Sequence, residues 1–365
     1  MAKKRKGVIR PTATKDAALT HLRAQIACGV LRLGSRLPVR IQLARDLRIS
    51  QSTLQRVIDG LAAEGFVQTR GKLGTFVVER PPFVDTYALV FPFDPQIPHE
   101  WTKFNATLLA AAADLLKSGL KLPSYYNILQ YHSLDSPSHN QLVKDIVEHR
   151  IGGIIFASPP HNVVTSPIMT HPGIPRVVMG TFPGLWGVDL AGVSFYTKAL
   201  DYFAARGRKR LAIVSVPRLA PCQGDNDSYV REAQARSIKL EFWSRQFVWQ
   251  GYPLAAENAV AALMHGPADS RPDALLIWDD NLVEHAVIGL IRSGFHVGAD
   301  VDVVAHANYP IASPSALPVR RLGYDAREVL ARCIEAIRAQ HQGERQPRQA
   351  HVDPVWDQDI SPSNQ

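Results

Sequence analysis

Cysteine is scarce in this chain. There are three among 365 residues, Cys28, Cys222 and Cys333, far apart and odd in number. Neither a disulfide framework nor a zinc-ligand spacing can be built from them. The helical apolar patterns around Cys28 and Cys333 suit buried thiols. Long hydrophobic runs are missing as well: none approaches the roughly 18 apolar residues that cross a bilayer. The basic start Lys3, Lys4, Arg5, Lys6 is not followed by the apolar segment of a secretory signal. The expectation is a cytoplasmic protein with no membrane partner. The histidines are scattered, with no pair at helical zinc spacing. There is no Gly-x-Ser-x-Gly elbow and no glycine-rich phosphate loop. Lys198, Lys209 and Lys239 lack the surroundings of a cofactor-bearing lysine. No catalytic activity, metal or cofactor is expected.

What is present is unevenly distributed. The chain carries a net charge of +8. Residues 1–80 hold sixteen Lys/Arg against five Asp/Glu, a charge of +11, which leaves −3 for the other 285 residues. A basic segment on a mildly acidic body is the footprint of a nucleic-acid-binding module joined to a domain that does not bind nucleic acid. Eleven of the sixteen cations lie beyond the first thirteen residues, so a basic tail alone does not account for the charge.

Residues 1–13 read as a disordered basic tail. Residues 15–31 carry Leu19, Leu22, Ile26 and Val30 at helical spacing. A short helix over 40–48 turns Leu43, Ala44 and Leu47 inward. A third helix follows over 51–64, with Leu54, Val57, Ile58 and Leu61 as its apolar stripe, Ser50 as N-cap and Gly65 as stop. Residues 66–69 and 75–78 read as two strands around Gly71, Lys72 and Gly74. Arg80-Pro81-Pro82 makes a stiff connector. From residue 86 short apolar runs alternate with helical stretches. Strands are expected at 86–92, 126–131, 153–157, 175–180, 210–216, 274–278 and 301–305. Helices are expected at about 99–118, 138–149, 195–206, 228–240, 254–265, 281–293 and 324–340. This alternation points to parallel sheets with right-handed crossovers in two α/β lobes. The cluster Arg206-Gly207-Arg208-Lys209-Arg210 suits a solvated helix end better than a second DNA site.

Two short helices joined by a tight turn suit a helix-turn-helix. The second exposes Gln51, Ser52, Gln55, Arg56 and Asp59, and a hairpin with Arg70 and Lys72 at its tip would form a wing. Gln and Arg can bond base edges, while Ser and Thr suit phosphate oxygens. Residues 15–79, and above all LPVRIQLARDLRISQSTLQRVIDGLAAEGFVQTRGKLGTFVV at 37–78, resemble the winged helix-turn-helix of the gluconate-repressor (GntR) family. Leu37-Pro38, Leu43-Ala44, Leu47, Ser50, Thr53, Arg56, Leu61, Glu64-Gly65 and Gly74-Thr75-Phe76-Val77 carry the match. The resemblance implies that Arg40, Ser50, Gln51, Ser52, Thr53, Gln55, Arg56, Arg70 and Lys72 meet DNA. The chain departs from the family in having Val39-Arg40-Ile41 where Ser-Glu-Arg is usual, and Gln51 where Arg is common.

Residues 86–360 are similar to the effector-binding domain of the lactose-repressor (LacI) family, which has the two-lobed fold of periplasmic sugar-binding proteins. The stretches that match are 273–305, GGIIFAS at 152–158, IPRVVMG at 174–180 and ALDYFAARGRKRLAIVS at 199–215. Asp280 falls on the family's ligand-binding Asp. Sugars need carboxylate and amide acceptors for paired hydroxyls and an aromatic face for the ring, at the carboxyl ends of strands. Candidates are Phe93, Asp94, Asp189, Arg231, Asp280 and Asn308, with Trp186 and Tyr309 as aromatic partners. Asp280 suits either a ligand acceptor or a helix N-cap, Asn308 a ligand contact or a turn. Ala305-His306-Ala307-Asn308 replaces the family's Gly-x-Asp-Asp.

The reading is an α/β protein: a small N-terminal winged helix-turn-helix plus a two-lobed periplasmic-binding-protein-like domain with parallel sheets. Its parts are a tail (1–13), a DNA-binding domain (14–79), a linker (80–85) and an effector domain (86–360). The function expected is transcription regulation, as a repressor. The partners expected are operator DNA, a small-molecule effector of the sugar class and a second copy in a homodimer. The alternative is a constitutive or architectural DNA-binding protein whose large domain only dimerises.

Overall fold

The computed structural model describes residues 14–27, 30–79, 81–129, 136–217, 226–249, 251–252, 254–344 and 346–360. The tail at 1–13, Cys28 and Cys222 lie outside these. Helices α1 (Lys15–Ala27), α2 (Arg40–Asp46) and α3 (Gln51–Ala63) precede a hairpin of β1 (Val67–Thr69) and β2 (Thr75–Val77). Ala18, Leu19, Leu22 and Ile26 of α1 pack on Leu54, Val57, Ile58 and Leu61 of α3, with Leu43 and Ala44 of α2 and Val67 and Val77 of the hairpin closing the core. Gly60 permits the close approach, since a Cβ there would lie 3.3 Å from Leu19. Buried Arg23 on α1 is clamped to Glu64 at the end of α3. The described helix runs to Ala27, and Val30, which the sequence pattern includes, is outside a helix and 68% exposed.

The chain then alternates through β3 (Tyr87–Val90), α4 (Lys103–Leu115), β4 (Ser124–Tyr125), α5 (Pro137–Val147), β5 (Gly153–Phe156), α6 (Pro167–Thr170), β6 (Arg176–Met179), β7 (Trp186–Leu190) and α7 (Gly192–Ala205). The second lobe follows with β8 (Arg210–Ser215), α8 (Asn226–Ala235), β9 (Lys239–Phe247), α9 (Leu254–Met264), β10 (Ala274–Ile277), α10 (Val283–Arg292), β11 (Asp302–Tyr309) and β12 (Arg320–Asp325). Helix α11 (Ala326–His341) returns to the first lobe, and β13 (Gln349–Val352) and β14 (Val355–Trp356) close one edge of each sheet. The first sheet has the order β13-β7-β6-β5-β3-β4 and is parallel; the second is β14-β12-β11-β10-β8-β9, parallel except for β14. The main core joins both lobes through α4, α7 and α11, and each sheet has a second core on its other face. Among the described residues no helix is long and apolar enough to cross a membrane.

Several elements differ from the sequence reading. The strand expected at 126–131 is the two-residue β4, just upstream. The helix expected over 228–240 ends at Ala235, because Lys239 opens the longest strand of the second sheet. Residues 320–325 form β12 before α11 starts. Strands β7, β9, β12, β13 and β14 were not expected; β7, β9 and β12 mix charge and apolar residues without a clean period of two, and β13 and β14 are only four and two residues long. The 206–210 cluster is exposed at Arg206 and Lys209, as expected of a helix end, and it is also tied down: Arg206 and Arg208 donate to buried Asp302 at 2.8 and 2.5 Å, and Arg210 pairs with Asp273 at 3.1 Å.

The connector is packed rather than free. Residues 82–85 form a single helical turn, and Phe83 enters the N-terminal core, stacked on Phe66 at 5.8 Å. Its carbonyl lies against Gly152 of the first lobe, 2.2 Å from where a Cβ would stand. Because that neighbour is backbone, Gly152→Ala should push the turn away from the lobe. The expected cost is about 1–3 kcal/mol, as for other overpacked sites. A lower Tm and faster proteolysis of the connector would register it.

Candidate functional site: an interlobe polar network behind a winged head

The N-terminal head presents a polar surface built on α3. Ser50 caps the helix as expected, its Oγ accepting from Thr53 N at 3.1 Å. The same hydroxyl lies 2.9 Å from both Ser52 Oγ and Thr53 Oγ1. Arg40 donates to Gln55, which donates on to Asp59 at 2.7 Å, so the two helices hold one exposed row of donors and acceptors. Gln51, Ser52 and Arg56 are exposed beside it. At the hairpin tip Lys72 is exposed, whereas the guanidinium of Arg70 lies over the Phe76 ring at 4.9 Å. Ile41 is 64% exposed on α2, an apolar side chain where a cation would bond phosphate. The arrangement can offer hydroxyls, amides and guanidinium groups to a nucleic-acid backbone and to base edges.

The second constellation lies where the carboxyl ends of strands from the two sheets meet. Asp279, Asp280 and Asn281 follow β10, and Asn308 ends the neighbouring β11. Asn308 Nδ2 donates to Asp280 Oδ2 at 2.6 Å, and both residues are buried. Asp280 is not a helix cap: α10 begins after Leu282 without a side-chain cap, and Asp279 is the residue whose carboxylate turns the chain, accepting from Asn281 N and Nδ2 at 2.8 Å each. Asn281 reaches across to the first lobe, where its Oδ1 accepts from the backbone N–H of Lys103 at 3.0 Å. That N–H belongs to the first turn of α4 and has no partner inside its own helix. Lys103 Nζ donates to the carbonyl of Asp280 at 3.0 Å. Two lobes thus share one network.

Burial sets the electrostatics. It pushes the Asp280 carboxyl up to about 6, against the opposing pull of the Asn308 hydrogen bond and the Lys103 ammonium. Burial, then the neighbouring Asp280 charge, raises Asp279. His306 is pushed down to about 4 by burial, so its ring is neutral at pH 7. It lies among Phe195 and Tyr324, with ring centroids at 5.5 and 5.7 Å. Asn308 Oδ1, on the amide that donates to Asp280, is buried without a hydrogen-bond partner. On the first lobe, Phe91, Trp101 and Tyr126 form a ring group just past β3 and β4, with centroids 5.1–5.9 Å apart.

Of the six effector residues expected from sequence, the fold brings Asp280 and Asn308 together. Phe93 and Asp94 stand half-exposed past β3, Asp94 bonded back to Gln96 N at 2.8 Å. Asp189 lies in β7, and burial, then the Asp189 charge, raises the Tyr324 hydroxyl. Arg231 is exposed on α8. Trp186 is core, buried and covered by Arg348 at 5.7 Å, and the Tyr309 ring is buried in the second lobe, so neither offers an open aromatic face. Sequence reading missed Lys103, Asn281 and the ring group of Phe91, Trp101 and Tyr126. The triplet Asp279-Asp280-Asn281 was a usable signal; the aromatic residues are spread over 36 positions and carried none.

Residues 14–77 match the family model of bacterial regulatory proteins, gntR family. Residues 200–356 match that of the periplasmic binding protein-like domain. The head is a gntR-family domain, and the body is a periplasmic binding protein-like domain. The chain is 41% identical over 61 residues to the probable rhizopine catabolism regulatory protein MocR of Rhizobium meliloti, a match that spans 17% of this chain and only 12% of that protein. The body has the fold of a regulatory protein of the LacI family from Chloroflexus aggregans (TM-score 0.59, 16% identity, 75% of this chain and 96% of the other). A LacI-family regulator from Lactobacillus casei with bound glucose is similar too (TM-score 0.54, 18% identity, 74% and 98%). The chain thus joins a gntR-type head to a body with the periplasmic binding protein-like fold.

Two outcomes follow for the network. Asn308→Ala removes the donor to a buried carboxylate, and the unsatisfied group should cost about 1–3 kcal/mol in urea unfolding. A ligand hydroxyl that donates to Asp280 needs the ionised form, which is lost as pH falls through about 6. Ligand affinity measured by calorimetry should therefore be flat above pH 7 and fall up to tenfold per pH unit below 6.

Proposed function

We propose that this regulator is a repressor that binds operator DNA as a homodimer and changes its grip when a polyhydroxylated, sugar-class ligand enters the interlobe network. One observation carries the reading. Asp280 and Asn308 form a buried acceptor pair with Asn308 Oδ1 unused, and that pair is joined through Asn281 to the first turn of α4 in the other lobe. A ligand that bonds Asp280 and Asn308 changes the same groups that hold the lobes together. The aromatic group at Phe91, Trp101 and Tyr126 supplies the apolar surface that the carbon face of a sugar ring requires. The glucose-bound relative supports the ligand class without fixing the sugar.

DNA recognition is assigned to Arg40, Ser50, Gln51, Ser52, Thr53, Gln55, Arg56, Arg70 and Lys72. Of these, Gln51 and Arg56 are the exposed side chains of α3 suited to base edges; the serines, Thr53, Arg40 and the wing cations suit phosphates. Effector contacts are assigned to Asp280 and Asn308, with Phe93, Asp94, Asp189 and Arg231 around the mouth.

Sequencing genomic fragments captured by the purified protein at ~150 mM salt, where non-specific phosphate binding is weakened, tests this reading. Enrichment of a few palindromic sites is expected. Lys72→Ala should weaken binding to all fragments and flatten the salt dependence by about one unit, while Arg56→Ala should relax sequence preference. Uniform capture, unaltered by either change, would remove the operator-binding proposal.

A further inference from the structure

The interlobe site holds more acid than base. Asp279 and Asp280 are adjacent in the chain and are 7% and 2% exposed. The cation that acts on Asp280 is Lys103, whose ammonium donates to the Asp280 backbone carbonyl at 3.0 Å. His306, the ring within reach of the Asp279 charge, is neutral at pH 7. After burial itself, the charges of Asp189 and Asp353 act most on Tyr324, whose ring lies 5.7 Å from that of His306. Buried charges are kept when they are paired. Two neighbouring buried carboxyls and one ammonium leave the site short of positive charge. Its acceptors are short of donors as well. Asn308 is 1% exposed; its Nδ2 is committed to Asp280 Oδ2 at 2.6 Å, and its Oδ1 has no partner. Asp280 Oδ1 meets Asn281 Nδ2 at 3.5 Å, the long limit of a hydrogen bond. Each of these two oxygens shares a carbon with an atom of the Asn308–Asp280 bond, so both belong to one acceptor pair.

We propose, resting on the effector reading above, that the ligand of this site carries a protonated amino group, as an amino sugar or an aminated polyol does. An ammonium brings three donors and no acceptor, whereas a hydroxyl brings one donor and two further lone pairs. The ammonium therefore matches a site made of acceptors, and it supplies the charge that neutral hydroxyls do not. Charge-assisted hydrogen bonds to a carboxylate are also about twice as strong as neutral ones. The facing lobe suits the same ligand. Trp101 lies two residues before Lys103 and shares a ring group with Phe91 and Tyr126, at centroid distances of 5.1–5.9 Å. Aromatic faces attract cations as well as the carbon face of a sugar ring. The ammonium donates to Asp280 and to Asn308 Oδ1, and the ring group takes the carbon skeleton. Sugar acids and sugar phosphates are disfavoured, because they would add negative charge beside Asp279 and Asp280.

Calorimetric titration of the full chain with matched ligands at pH 7 tests the proposal. The probes are glucosamine, galactosamine, mannosamine and glucamine, each beside its neutral hydroxyl parent and its N-acetyl form. Gluconate, phosphorylated glucose and the diamine putrescine complete the set. At least one amino sugar or amino polyol is expected to bind roughly tenfold or more tighter than both of its neutral counterparts, with no binding of the two anions. Asp280→Asn keeps the shape and removes the charge, and should erase most of the amine's advantage. Lys103→Gln removes the resident ammonium and should enlarge that advantage; it also serves if Asp280→Asn fails to fold. A neutral sugar that binds as tightly as its amine overturns the proposal and leaves the sugar-class reading standing. Putrescine bound in preference to every sugar upholds the amine and removes the sugar class. A set in which no amine binds, or an amine advantage that neither variant changes, overturns the proposal.

Discussion

The bond from Asn308 to Asp280 is the constraint on which the interlobe site depends. A carboxylate this deeply buried is costly to keep charged, and burial already moves it up to about 6. The 2.6 Å amide donor and the nearby Lys103 ammonium hold it partly in check. Asn281 then ties the same loop to the start of α4, so the ionised group, its donor and the joint between lobes are one connected set. In the proposed function, stability and ligand recognition draw on the same few atoms. His306, within reach of the Asp279 charge and packed against Phe195 and Tyr324, stays neutral and adds no further charge.

The head depends on a different kind of constraint. Its specificity surface is held by a continuous side-chain row from Arg40 through Gln55 to Asp59, while its core is ordinary aliphatic packing between α1 and α3. Phe83 carries that core into the connector, and Gly152 lets the connector's backbone sit directly on the first lobe. A movement between lobes therefore has a short, packed route to the head. That route is a physical contact; coupling along it is what experiment must measure.

Much of this was legible in the sequence, for identifiable reasons. The helices of the head were readable because Leu54, Val57, Ile58 and Leu61 keep a strict helical spacing and Ser50 is a strong cap. The central strands β3, β5, β6, β8, β10 and β11 were readable because strands buried on both faces are unbroken apolar runs. Edge strands were not: β9 mixes charged and aromatic residues, β13 and β14 are too short to show a period, and all three are fixed by the neighbour they pair with. Asp280 and Asn308 were singled out because both follow strand-like runs, yet their bond to each other across 28 residues needed the parallel register of β10 and β11. Lys103 and the aromatic group belong to the other lobe and were invisible for the same reason. Trp186 showed the converse error, an aromatic in the right place in the chain whose ring the fold buries.

The measurement that tests the account most directly is operator affinity across a sugar panel, for the wild type and for Asp280→Ala. A shift of ~10–100-fold on adding effector corresponds to ~1.4–2.8 kcal/mol of coupling, within the usual allosteric range. The account predicts such a shift for at least one sugar in the wild type, and its loss in Asp280→Ala. A wild type indifferent to every sugar, or a variant that still responds in full, would contradict it.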